Sequence, residues 1–297
     1  MASLVRSAKS GSNWTRSELL AFNIRVVTVN AAVFFGSVEL PPAPVSPAIL
    51  NNLYIPDGHL AKSDRQFFQY LRAAENATSE ESAVGDFAAF ILRMLDYDDE
   101  DRVIRLRKDI SFYMAGESVD AKTDVCVMND FDLLLVQEDK VSVLEIMNDS
   151  STGLSLITSQ RNGSFDDPEP QLIAEIIAAF YQNNFRRTRA GLPALPRTLM
   201  PGITMVGTSP IFYRIPVSTQ LLDALVTASF PEDETVVLKF IPPVPNVERY
   251  FSDGMRALEN RRIVLQCFEA FKTSIVYLPC TLTSRRISCV YAARASI

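Results

Sequence analysis

Asp124, Glu138 and Lys140 are the residues of this chain whose types and spacing could do chemistry. They lie in the run TDVCVMNDFDLLLVQEDK, residues 123–140, which reads as a β-hairpin. One strand covers about 123–128, Asn129-Asp130 makes the turn, and a second strand runs 131–140. Asn and Asp favour tight turns, and the flanking apolar runs favour buried strands. Folding the hairpin brings its outer ends together, so Asp124 falls beside Glu138 and Lys140. Residues two apart in a strand share a face, so Glu138 and Lys140 point the same way. Two carboxylates and an ammonium then converge at the end of an apolar hairpin. Such oxygen ligands suit a hard divalent cation, with the lysine beside its water. A plainer reading stays open, because Glu-x-Lys is a common tripeptide and a strand end is an ordinary place for charge to meet solvent. Asp124 at hairpin spacing weighs against it, as does Leu133-Leu134-Leu135-Val136, which marks a strand buried on both faces.

The elements that must position these residues are readable from periodicity. Ser79-Glu80-Glu81-Ser82 opens a helix to about Leu95, with Val84, Phe87, Ala88, Ile91 and Leu92 at helical spacing and acids in the first turn. Arg102–Ala115 reads as a strand whose alternation puts Arg105 and Arg107 on one face. The hairpin follows. Residues 141–166 are rich in Ser, Thr, Asn and Gly and read as one long mobile loop. Pro168–Arg187 is a helix with an apolar stripe through Leu172, Ile173, Ile176, Ile177 and Phe180, ending in the basic run Arg186-Arg187-Thr188-Arg189. That run complements the helix dipole without a ligand, and nucleic-acid contact is its functional alternative. A Pro-rich connector over 191–201 leads to strands at 203–208 and 210–216, a helix at 218–229, a strand at 235–241 and a helix at 258–273. Upstream, 22–36 is β-rich, Pro41-Pro42-Ala43-Pro44 breaks regular structure, and 62–75 is helical. Residues 1–75 therefore read as an N-terminal arm or small subdomain, 76–273 as an α/β core with a mixed central sheet flanked by helices, and 274–297 as a tail.

Composition bounds the function. At 297 residues, 47% hydrophobic and 22% charged, the chain can bury a sizeable core. A net charge of −6 argues against binding nucleic acid through a broad basic surface, but not against a local basic groove. Cys126, Cys267, Cys280 and Cys289 lack CxxC spacing and suit a reducing compartment. His59 is the only histidine and sits in the turn-like Pro56-Asp57-Gly58-His59, which leaves no His-based triad or His-rich metal site. No secretory signal and no run near the roughly 18 apolar residues of a membrane span is present, so an intracellular protein, cytoplasmic or nuclear, without membrane partners is expected. No Walker A or G-x-G-x-x-G pattern follows a strand.

The order helix, three strands with an acid-bearing hairpin, helix, strand resembles the core of the PD-(D/E)XK nuclease superfamily. Asp124 matches the second-strand acid, and Glu138-Asp139-Lys140 matches the E-x-K of the third strand. Many members add a glutamate from the first core helix, where Glu81 or Glu80 lies here. RecB-like members carry Q-x-x-x-Y on the next helix; this chain has Gln171-Leu172-Ile173-Ala174-Glu175, so the Gln matches and the Tyr does not. The resemblance implies a restriction-endonuclease-like αβββαβ core. It also implies a Mg²⁺- or Mn²⁺-dependent phosphodiesterase acting on DNA or RNA. Glu81, Asp124 and Glu138 would be the metal ligands, Lys140 would act on the nucleophile or the phosphate, and Gln171 would orient a water or a phosphate. Over about residues 14–273 the chain also resembles a group of uncharacterised proteins common in mushroom-forming fungi, through ESAVGDF, RLRKDI, AKTDVCV, LLLVQEDK, PQLIAE, PGITMVGTSPIFY and QCFEAFK, which implies no activity. The alternative is a non-catalytic interaction protein on a nuclease-like scaffold.

Overall fold

The computed structural model describes residues 6–76, 81–129, 132–141, 144–146, 156–158 and 167–275, with the backbone alone for Glu81, 144–146 and 156–158. Its strands are β1 (Ile24–Thr28), β2 (Arg102–Met114), β3 (Glu117–Asn129), β4 (Asp132–Lys140), β5 (Leu144–Ile146), β6 (Leu156–Thr158), β7 (Arg197–Val206), β8 (Ser209–Ser218) and β9 (Thr235–Phe240). Its helices are α1 (Arg16–Ala21), α2 (Ala31–Phe35), α3 (Pro47–Asn51), α4 (Lys62–Glu75), α5 (Glu81–Met94), α6 (Pro168–Arg189), α7 (Thr219–Val226), α8 (Tyr250–Asp253) and α9 (Leu258–Phe271).

Seven strands form one open mixed sheet in the order β1-β9-β8-β7-β4-β3-β2. β2, β3 and β4 are an antiparallel meander, while β7 lies parallel to β4. A parallel neighbour cannot be reached by a hairpin, so the chain crosses over through α6. Two cores sandwich the sheet. Val125, Val127, Leu135, Ile203 and Met205 face α4, α5 and α9; Cys126, Met128, Val136 and Met200 face α6 and α7. β4 is therefore buried on both sides, as its unbroken apolar run requires. Helix α6 lies close on the sheet because Gly202 leaves room: a Cβ there would stand 2.6 Å from Ile176 Cδ1.

Several expectations are corrected. Of the segment 22–36, expected to be β-rich, only Ile24–Thr28 is a strand, because the Asn30 side chain accepts from the Val33 N–H and starts α2, which Gly36 ends at φ 78°. β1 pairs in parallel with β9, so residues before 75 supply an edge of the main sheet. β7 starts at Arg197, inside the expected Pro-rich connector. Pro201 is tolerated there because the ladder to β4 begins only at Gly202. Within 141–166, β5 and β6 pair antiparallel, and the rest of that expected loop lies outside the described residues. The expected tail lies outside them from residue 276 onward. Asp130, expected in the turn, and Phe131, expected to open the second strand, lie outside them too. The alternation expected along β2 also fails. Ile110, Phe112 and Met114 face α6, whereas Ile104, of the same parity, packs on the α5 side. The slip occurs at Arg107, which has φ 50°. Arg105 and Arg107 therefore do not follow a simple two-residue alternation.

Candidate metal and phosphate site

The hairpin register puts the sequence-predicted residues at one place. The β3–β4 ladder shifts at Val127/Met128 and runs to Val125 opposite Gln137. Beyond that pair the backbone ladder stops, and the Asp139 N–H donates instead to Asp124 Oδ2 at 2.9 Å. Asp124 thus replaces a main-chain acceptor with its carboxylate. On the other side of β3, Leu106 pairs with Val125 and Lys108 with Thr123, leaving Arg107 and Asp124 between them. This is where Arg107 adopts its left-handed conformation, which costs a non-glycine residue about 1–2 kcal/mol. Ala121 and Cys126 both face α6 despite opposite parity, so β3 slips by one residue at the same point. A strained slip in two paired strands sits beside Asp124, and strain of this kind gathers at functional sites.

Val136 faces α6, so Glu138 and Lys140 do as well. Glu138 is 1% exposed, and its Oε1 pairs with Lys140 Nζ at 3.0 Å. Above them, α6 brings Glu175, which is fully buried. Gln171, one helical turn earlier, donates from Nε2 to Glu175 Oε1 at 3.1 Å. Glu138 and Glu175 lie within hydrogen-bond reach of each other, and Asp124 acts electrostatically on both. Glu138 Oε2 and Glu175 Oε2 are both buried and meet no donor. Two touching carboxylates, each with one buried oxygen that meets no donor, need either a shared proton or a cation. Burial, then the Asp124 charge, pushes the Glu138 carboxyl up to about 9, against the pull of Lys140. Burial, then the Glu138 charge, pushes Glu175 well above the carboxylate range.

Glu175 was not among the sequence candidates. Its signal was present: it falls on the apolar stripe of α6 between Leu172 and Ile176, where a solvated glutamate has no place. Glu81 opens α5, which packs on the opposite face of the sheet, and its side chain lies outside the described residues. The α5 turn after it sits over Asp139, whose Oδ2 would be 3.5 Å from a Cβ at Gly85. The structure thus gathers Asp124, Glu138, Lys140, Gln171 and Glu175 on the α6 face, and places the helix of Glu81 on the other.

The polar row continues across the sheet. Thr204 on β7 stands opposite Glu138, and its hydroxyl is 3.5 Å from that of Tyr213 on β8. The Tyr213 hydroxyl donates to Glu169 Oε2 at 3.1 Å, and Lys239 Nζ donates to the same oxygen at 2.7 Å. This second group is internally paired.

The donor chemistry fits a hard cation: carboxylate oxygens only, two of them buried without a donor. Among the described residues, no three His, Cys, Asp or Glu side chains already stand as a formed metal cage. Asp124 is turned instead to the Asp139 N–H. No helix among the described residues is long and apolar enough to cross a membrane. No family model and no curated protein matches this chain.

A pH dependence follows from Glu138. Its carboxyl is raised from 4.5 to about 9, so the folded protein keeps a proton that the unfolded chain releases. The stability this contributes is fully present below 4.5 and is lost as pH rises through about 9. Thermal melting in EDTA from roughly pH 5 to roughly pH 10 should show wild type losing stability more steeply than Glu138→Gln, which has no such proton to release. Parallel curves for the two proteins would contradict the placement of Glu138.

Proposed function

We propose that the protein is a divalent-metal-dependent phosphodiesterase acting on nucleic acid, with the Asp124, Glu138, Lys140 and Glu175 group as its site. The observation that carries this reading is the buried Glu138–Glu175 pair beside Asp124, on one sheet face with Lys140. Burying two acids together beside a third that is half-buried is costly and offers little to stability, so it is explained by a ligand that needs them. Leaving aside the separate β5–β6 pair inserted after β4, the order α5-β2-β3-β4-α6-β7, with β4 parallel to β7, supports the reading because it matches the αβββαβ order of the PD-(D/E)XK core.

In this reading Asp124 and Glu138 hold Mg²⁺ or Mn²⁺, and Glu175 supplies a third carboxylate. When bound, the cation lowers the pKa of a water and neutralises charge on the scissile phosphate. Lys140, ion-paired to Glu138, sits where it can hold the nucleophile or meet the charge developing on the phosphate. Gln171 fixes the Glu175 carboxylate through its amide N–H. Binding a cation also displaces the proton held between Glu138 and Glu175, so affinity rises with pH.

The test is a panel of single- and double-stranded DNA and RNA, incubated with Mn²⁺ or with EDTA. Metal-dependent cleavage by wild type is the expected result. Absence of any cleavage across the panel would leave the interaction-protein reading as the better one.

A further inference from the structure

We propose that Tyr113, Tyr181 and Phe185, with the arginines of the last turn of α6, form a stacking platform for single-stranded nucleic acid. The proposal rests on the nuclease reading for its choice of ligand, and it names the form of substrate that the site would receive.

The three rings make a continuous ladder from two elements. Tyr113, near the end of edge strand β2, meets Tyr181 on α6 at 6.0 Å, edge to face. Tyr181 stacks on Phe185 at 6.4 Å, with the ring planes 14° apart. The guanidinium of Arg189 lies over Phe185 at 5.6 Å. The two outer rings are not core rings: Tyr113 is 44% exposed and Phe185 is 50% exposed, while half-buried Tyr181 between them rests on the core beneath α6. A helix gains something from aromatic pairs four residues apart, and a cation–π contact adds to it. That accounts for Tyr181, Phe185 and Arg189 on one helix. It does not account for Tyr113, which extends the ladder onto the sheet edge and leaves its own ring half in water.

Charge selects the partner. Arg186, Arg187 and Arg189 fall in the last turn of α6; Arg189 lies over the exposed ring of Phe185, while Arg186 donates to Gln182 and Arg187 to the Pro193 carbonyl. In a chain of net charge −6, three arginines in one turn next to exposed aromatics are a local exception. Base stacking on aromatic faces with arginine at the phosphates is how single strands are held without regard to sequence. A duplex hides its base faces and gains nothing from such rings. Position agrees as well. The same helix carries Glu175, and Phe185 lies ten residues further on, about 15 Å along the helix axis at 1.5 Å per residue. A strand held at the platform could therefore run along α6 to the acidic site.

The experiment measures binding apart from cleavage. Fluorescence anisotropy is recorded with a labelled oligo-dT and a duplex of equal length, in EDTA, for wild type, Phe185→Ala, Phe185→Trp, Arg189→Gln and the Tyr113→Ala/Phe185→Ala double variant. Wild type should prefer the single strand. Each aromatic removed should weaken that binding about tenfold, with the duplex unaffected, and Phe185→Trp should retain it. Arg189→Gln should lower the slope of log affinity against log salt by about 0.7. Half-exposed Phe185 can be truncated at small cost to the fold, since it gives up only the Tyr181 and Arg189 contacts on the same helix, so that single variant stands even if the double variant melts early. Unchanged single-strand binding in Phe185→Ala, or no oligonucleotide binding by wild type, overturns the proposal and leaves the aromatic face to a protein partner. Failure of the catalytic reading looks different: the oligonucleotide binds, the aromatic variants lose it, and Mn²⁺ produces no cleavage.

Discussion

Lys140→Ala should remove metal-dependent cleavage by roughly 10²–10³ while leaving the melting temperature close to that of wild type. The chemical loss follows from position. Lys140 Nζ is 3.0 Å from Glu138 Oε1, so it carries its charge to the edge of the carboxylate group. A preorganised cation that meets charge formed only in the transition state acts on rate and not on folding. The stability loss is small for a second reason. In the metal-free protein the Glu138 carboxyl, held up to about 9, already keeps its proton near neutrality. Losing the lysine then leaves Glu138 neutral instead of a naked buried charge. Lys140→Met, which keeps the apolar stem, should behave the same way in both assays. Cleavage at the wild-type rate in either variant would remove Lys140 from the mechanism.

The second large effect concerns stability. Arg261 on α9 is fully buried and has no acidic partner in hydrogen-bond contact among the described residues; it is held by main-chain carbonyls. It donates to Met255 O at 2.9 Å, Ile49 O at 2.8 Å and Asn52 O at 2.6 Å, with longer bonds to Leu53 and Arg256. The guanidinium also lies 5.3 Å over Phe67 and 5.7 Å over Phe68. Burial lowers its pKa to about 10, which still leaves it charged at neutral pH. One side chain thus ties α3 and the loop after it, α4 and α9 into one core. Arg261→Met would leave three well-bonded carbonyls without donors. At ~1–3 kcal/mol for each buried orphan, offset in part by removing a buried charge, the net loss is about 3–5 kcal/mol. For a chain of this size that lowers Tm by on the order of 10 °C. Calorimetric melting within a degree or two of wild type would show that solvent reaches these carbonyls.

The legible part of the site was the part set by local rules. Asp124, Glu138 and Lys140 could be placed together because a hairpin has a two-residue period and its ends must meet. Glu175 and Arg261 were legible in principle, since each falls on an apolar helical stripe, Glu175 beside Leu172 and Ile176, Arg261 beside Val264 and Leu265. Neither stands out in the sequence, because a lone charge on a helix usually faces water. Other features had no local signal. The pairing of β1 with β9 joins residues some two hundred positions apart, and nothing near Ile24 names its partner. The left-handed Arg107 carries no glycine or asparagine to announce it, so alternation along β2 appeared regular. The parallel pairing of β4 with β7 has no local signal either; only once it is known does a crossover such as α6 become necessary.

The most direct test of the account is calorimetric titration of Mn²⁺ into the full chain, in two buffers of different ionisation enthalpy near neutral pH. The account predicts a saturable binding heat that differs between the buffers, because the cation displaces the proton held by Glu138 and Glu175. It also predicts that Asp124→Ala and Glu138→Gln, both still folded, lose that heat. Only heats of dilution for wild type, or binding by both variants indistinguishable from wild type, would contradict a metal site at these carboxylates.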